Sequence, residues 1–140
     1  MYAEFDETLI TGNEMIDSQH REWFKKINDL LRSCENGDGK VTAIKMLEYM
    51  ADYTDFHFGE EEKLQEEIGY PGMDKHRAEH EKFRNTVKDL HEMLEEEEGP
   101  SDAFVKKVQE NVVDWLYGHI QGFDRSVAEY KFMRSNGERL

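Results

Sequence analysis

The sequence predicts an all-α fold: an up-down-up-down four-helix bundle with an N-terminal arm and a short C-terminal extension. Three observations predict it. The two prolines of the 140 residues, Pro71 and Pro100, each adjoin a glycine, and with Asn36-Gly37-Asp38-Gly39 they make three strong breaks. The segments between the breaks carry apolar residues at alternating steps of three and four, the period of a helix with one buried face. No segment alternates apolar and polar residues as a half-buried strand would, and four helices with short connections pack as antiparallel neighbours.

The arm, about residues 1–12, runs to Thr11-Gly12-Asn13 and offers Tyr2 and Phe5. The first helix then places Ile16, His20, Trp23 or Phe24, Ile27, Leu31 and Cys34 on one stripe. The second places Leu47, Met50, Thr54, His57, Glu61, Leu64 and Ile68, and the third Met73, His76, His80, Phe83, Val87, Leu90 and Leu94. The fourth runs Val105, Val108, Val112, Trp115 or Leu116, His119, Phe123, Val127 and Tyr130. The bundle occupies about 13–134. A chain of 16.6 kDa suffices for one core and not for two, so residues 1–140 read as a single domain.

Composition excludes whole classes of function. Thirty-two acidic side chains against eighteen basic ones give a formal charge of -14, which repels phosphate backbones and anionic membrane surfaces. Nucleic-acid and membrane partners are therefore not expected. A hydrophobic content of 37% with 11% aromatics is ample for a core. No apolar run approaches the ~18 residues of a membrane span, and the start is acidic where a signal peptide is basic, so a cytoplasmic location is expected. Cys34, the single cysteine, has no partner for a disulfide or a thiolate metal site. Any metal must use nitrogen and oxygen ligands.

The informative residues interrupt the apolar stripes. Five of the six histidines, His20, His57, His76, His80 and His119, lie on core faces, and every helix contributes at least one. An unpartnered buried polar group is costly, and five imidazoles cannot all satisfy one another. A divalent metal binds neutral imidazole and carboxylate directly and gains from their convergence. His76 and His80 are one turn apart and can grip one ion, and His57 with Glu61 repeats that spacing on the neighbouring helix. His76-Arg77-Ala78-Glu79-His80 also matches the HxxEH peptidase pattern. That reading leaves His20, His57 and His119 without a role and the chain without a substrate lobe. His91 lies about 16 Å along its helix from His80 and reads as a surface residue. His119 and Asp124 are five residues apart, which on a regular helix turns them about 140° from each other. Sharing one site requires a local π-type widening around Gly122.

The set Asp17-Ser18-Gln19-His20, His57-Phe58-Gly59-Glu60-Glu61, His76 with His80, and His119-Ile120 with Asp124 resembles the hemerythrin family, above all its single-domain bacterial branch. The resemblance spans about Asn13 to Asp124 and continues to Tyr130. It implies two iron ions in an oxo- or hydroxo-bridged, non-haem di-iron centre. His76, His80 and His119 would hold one iron, His20 and His57 the other, and Glu61 and Asp124 would bridge both. Two octahedral irons offer about twelve positions. Five histidines, two bridging carboxylates and the shared oxygen leave one open, on the two-histidine iron, where the family binds O2.

Five neutral imidazoles with two carboxylates favour a reversible diferrous–diferric cycle over oxygen activation. Reversible O2 binding for storage, delivery or scavenging is therefore the expected function, without enzymatic turnover. A sensor acting through a partner and a di-iron peroxide or nitric oxide reductase are the alternatives, and the acidic surface could dock a basic redox partner. Trp23, Leu116 and Phe123 are expected to line the O2 pocket. Trp23 departs from the family, which commonly has an aliphatic residue three positions after the first ligand, and the arm lacks the family's usual tryptophan.

Overall fold

The computed structural model describes residues 2–137, with side chains through residue 134. Four helices form the bundle: α1, Glu14–Glu35; α2, Lys40–Ile68; α3, Met73–Glu96; and α4, the helical run 102–137. The expected C-terminal extension is in part a continuation of α4, whose backbone stays helical to Gly137.

Local chemistry accounts for each boundary. Asn13 caps α1 by accepting from the Ile16 N–H at 3.0 Å, and Ser101 caps α4 by accepting from Phe104 N–H at 3.1 Å. Gly69 ends α2 in the left-handed region, φ 64°, which only a residue without a Cβ adopts cheaply. Gly37 and Gly39, at φ 68° and 94°, make the α1–α2 turn. The arm is fastened by side chains. Asp17 accepts from Thr11 and Gly12, Asn28 pairs with both backbone groups of Ala3, and Arg125 donates to the carbonyls of Thr8 and Ile10. Leu9 follows the arm into the core.

The large core is built from the predicted stripes, with Ile27, Leu47, Met50, Phe83, Leu94, Val108 and Val112 fully or almost fully buried. Truncating one such leucine to Ala costs about 2–5 kcal/mol. Trp23 and Phe24 are both buried. Leu116 is fully buried and Trp115 half-buried, while on the first turn of α4 Phe104 takes the core position in place of Val105. The reason is that α4 is not uniformly α-helical. Two stretches, Gln109–Asp114 and Ile120–Asp124, are π-helical, so its buried face shifts relative to a regular period. A smaller apolar cluster of Ile16, Leu64, Val127 and Ala128 closes one end. The polar residues of the stripes lie as a layer between the two. No described helix is long and apolar enough to cross a membrane.

Candidate metal centre

Each helix delivers its polar side chains to that layer from the position its period dictates. His20 comes from the second turn of α1, and His57 and Glu61 from adjacent turns of α2. His76 and His80 come from the first two turns of α3, and His119 and Asp124 from α4. The widening at Ile120–Asp124 is what brings the last two together. The Arg125 N–H reaches back to the Ile120 carbonyl, an i→i+5 bond, and this wider turn sets Asp124 beneath His119. Asp124 Oδ1 lies 3.1 Å from His119 Nε2, and Asp124 is fully buried. Gly122 is not what permits the widening: its φ is not positive, and a Cβ there would meet nothing within 4 Å.

The seven residues form two groups of ligand atoms, each with all members within 4.8 Å of one another. One is Glu61, His76, His80, His119 and Asp124; the other is His20, His57, Glu61 and Asp124. The two carboxylates are common to both. His76 Nε2 stands 3.0 Å from Glu61 Oε1 and 2.9 Å from Asp124 Oδ1, and His20 Nε2 stands 2.8 Å from Asp124 Oδ2. Several of these approaches do not have hydrogen-bond geometry. His20 Nε2, His57 Nε2, Glu61 Oε2 and both oxygens of Asp124 are buried without a hydrogen-bond partner. Short separations with unmade bonds are what donors arranged around a common ion show when their lone pairs do not serve one another.

The outward nitrogens tell the same story. His57 Nδ1–H donates to Gln19 Oε1 at 2.7 Å, and His80 Nδ1–H donates to Glu62 Oε2 at 3.1 Å. In both the proton sits on Nδ1 and leaves Nε2 free to ligate. The Gln65 amide meets His76 Nδ1 at 2.6 Å, and a half-turn of that amide gives its otherwise unpartnered Oε1 the same accepting role. Gln19 stands in the stretch before His20 that carries the family resemblance, but neither it nor Glu62 or Gln65 has a role assigned from sequence. Glu62 in particular belongs to the acidic run Glu60-Glu61-Glu62, which, Glu61 excepted, is at face value solvated helix surface. Instead it is half-buried, bonded to His80 and to Arg77.

Burial sets the electrostatics. Loss of solvent pushes the imidazole of His57 down to about 3, with His20 beside it adding to the effect. Loss of solvent also takes His80 down to about 2, with His76 and His119 contributing. Burial works the same way on His76, but the carboxylates of Asp124 and Glu61 beside it, at 2.9 and 3.0 Å, prevail and lift it to about 9. Burial and the charge of Asp124 hold Glu61 well above the usual carboxylate range. Asp124 goes the other way: burial opposes its ionisation, but the imidazoles of His119, His20 and His76 close around it keep it well below. Without metal, His57 and His80 are therefore neutral and Asp124 ionised, while His76 holds a proton and Glu61 is held toward its neutral form, so a cation entering the layer must displace protons from His76 and Glu61.

Of the three expected pocket residues, Trp23 and Leu116 belong to one buried core cluster and Phe123 lies outside it. Trp23 is fully buried beside the two-histidine group, its ring centre 5.1 Å from that of His57 and 6.3 Å from that of His20. Leu116 is buried in the large core. Phe123 is half-exposed and stacks on His119 at 5.3 Å, with His76 at 5.4 Å, so it flanks the three-histidine group. Its position follows from the four-residue step from His119, which keeps both on one face. Other aromatic neighbours were not foreseen: Phe58 stacks on His80 at 3.7 Å and Trp115 on His119 at 4.4 Å. Glu79 of the HxxEH pattern pairs with Lys82 at 3.1 Å and takes no part in the cluster. His91 is half-buried between Glu48 and Glu95, also outside it.

Residues 11–129 match the family model described as hemerythrin HHE cation binding domain. The bacteriohemerythrin of Stenotrophomonas maltophilia (strain R551-3) is 30% identical over 125 residues, covering 89% of this chain and 78% of that protein. The myohemerythrin of Theromyzon tessulatum is 29% identical over 121 residues, 86% of this chain and 87% of that one. A crystal structure of wild-type hemerythrin superposes with a TM-score of 0.70 at 28% identity, covering 82% of this chain and 85% of that one.

Proposed function

Since this chain belongs to the hemerythrin family, we propose that it holds two iron ions between its helices and binds O2 reversibly, for storage, delivery or scavenging. The observation that carries the reading is the pair of ligand groups sharing Glu61 and Asp124. Shared carboxylates are what two adjacent cations require, and a single-ion site would use one group and leave the other without purpose. The donor set suits iron: imidazole nitrogen and carboxylate oxygen, with no thiolate. The unpartnered atoms of His20, His57, Glu61 and Asp124 are satisfied only when cations occupy the layer. His76, His80 and His119 would hold one iron, His20 and His57 the other, with Glu61 and Asp124 bridging. When bound, the iron pair supplies the electrons for reversible capture of O2.

The protein's own residues do the rest. The His20–His57 group has one imidazole fewer than its neighbour, so an exogenous ligand enters on that side. Trp23 covers that side and excludes water, which would otherwise release the bound ligand and leave the centre oxidised. Gln19 and Glu62 orient His57 and His80 through their Nδ1 protons. The prevalence of neutral imidazole over carboxylate favours binding over oxygen activation. The test is to reduce the protein anaerobically and cycle it between air and argon. A repeatable change in visible absorption supports the reading, and a single irreversible oxidation opposes it.

A further inference from the structure

Trp23 is fully buried, and its indole N–H has no hydrogen-bond partner. The rings around it are His57 and His20, at 5.1 and 6.3 Å, and Phe58 and Phe83, at 5.4 and 5.5 Å, both crossed nearly at right angles. None accepts from it, although His20 Nδ1 and His57 Nε2 are likewise without a hydrogen-bond partner. The Nδ1 of His57 is engaged by Gln19, and His20 Nε2 is directed to Asp124. A buried donor left without an acceptor is costly, and native proteins keep few of them. Were packing the only demand at this position, an aliphatic or phenyl side chain would meet it with no polar atom to satisfy. The ring that carries the orphan N–H packs instead beside the two imidazoles whose group is one imidazole short.

We propose that the Trp23 indole N–H donates a hydrogen bond to the exogenous ligand on the His20–His57 side, and that it selects ligands whose outer atom carries negative charge. The inference rests on the metal-centre reading above. A hydrogen bond to an ionised acceptor is roughly twice as strong as one between neutral groups. A fixed donor in a site closed to water therefore discriminates anionic ligands from neutral ones of similar size. It makes Trp23 a specificity-determining residue as well as a wall of the pocket.

Azide serves as the anionic probe and nitric oxide as the neutral one. Iron content is measured first, so that failure of the metal-centre reading is seen separately: a chain that takes up no iron pair overturns that reading and this proposal with it. In the diferric protein Trp23→Phe weakens azide binding about tenfold or more, while the reduced protein's affinity for nitric oxide changes little. Equal losses for both probes would show a loss of shape only and overturn the proposal, as would no loss for either. Should Trp23→Phe fail to fold or to hold iron, the wild-type protein still decides the question. The infrared stretch of bound azide shifts when the indole N–H is exchanged for N–D, and an unmoved band refutes the hydrogen bond.

Discussion

Stripping the iron should lower the stability of the bundle by about 5 kcal/mol. The figure comes from the atoms that cations would satisfy: His20 Nε2, His57 Nε2, Glu61 Oε2 and the two oxygens of Asp124, all buried without a hydrogen-bond partner. Leaving one such atom unmet costs about 1–3 kcal/mol. The low end applies, because part of the burden is relieved without metal: His76 retains close pairs with Glu61 and Asp124, at 3.0 and 2.9 Å. Five atoms at about 1 kcal/mol each give the total, and binding free energy of this kind appears directly as folding free energy. For a chain of this size 1 kcal/mol moves the midpoint by about 2–4 °C, so the metal-free protein melts roughly 10–20 °C below the loaded one. Far-ultraviolet circular dichroism on iron-loaded and chelator-treated samples reads the difference. Coincident melting curves, or a more stable metal-free protein, would refute the reasoning, because the polar layer would then be satisfied by itself.

Other expectations follow from the same geometry. His57→Ala and His76→Ala should each abolish uptake of the iron pair, whereas His91→Ala should leave iron content unchanged and stability within about 0.5 kcal/mol, since His91 meets only surface carboxylates. Glu62→Ala should weaken metal binding about 10- to 100-fold by releasing His80, and Glu62→Gln should recover most of it by keeping an acceptor; a chelator competition titration measures both. Gly122→Ala should preserve the site and stabilise the metal-free bundle by up to about 1 kcal/mol in urea denaturation, because the Cβ meets nothing and alanine favours the helix. Burial pushes the Cys34 thiol up to about 11, so about one thiol in a thousand is ionised at pH 8. Iodoacetamide labelling should be slow in the native protein and fast in denaturant, and equal rates would contradict the burial.

Much of this was legible in the sequence because burial imposes a period. The helices could be placed since Ile27, Leu47, Phe83 and Val112 recur at the steps of one buried face. The ligand candidates stood out as polar residues occupying those same steps. Even the widening at Ile120–Asp124 was readable, because the five-residue step from His119 to Asp124 fits no regular helix. What escaped was set between helices. Gln19, Glu62 and Gln65 are polar residues whose roles depend on which imidazole crosses nearby, and Glu62 sits in an acidic run that looks like ordinary surface. The first π stretch, Gln109–Asp114, carries no residue whose spacing demands it, and it shifted Phe104 inward in place of Val105. The side of the cluster on which Phe123 falls likewise depends on how α4 lies against α3, which no single-helix pattern contains.

Elemental analysis of the purified protein, expressed in iron-replete cells, tests the central claim most directly. Two irons per chain are predicted, with the content lost in the His57→Ala variant. Zinc, a single ion per chain, or no bound metal would contradict the account.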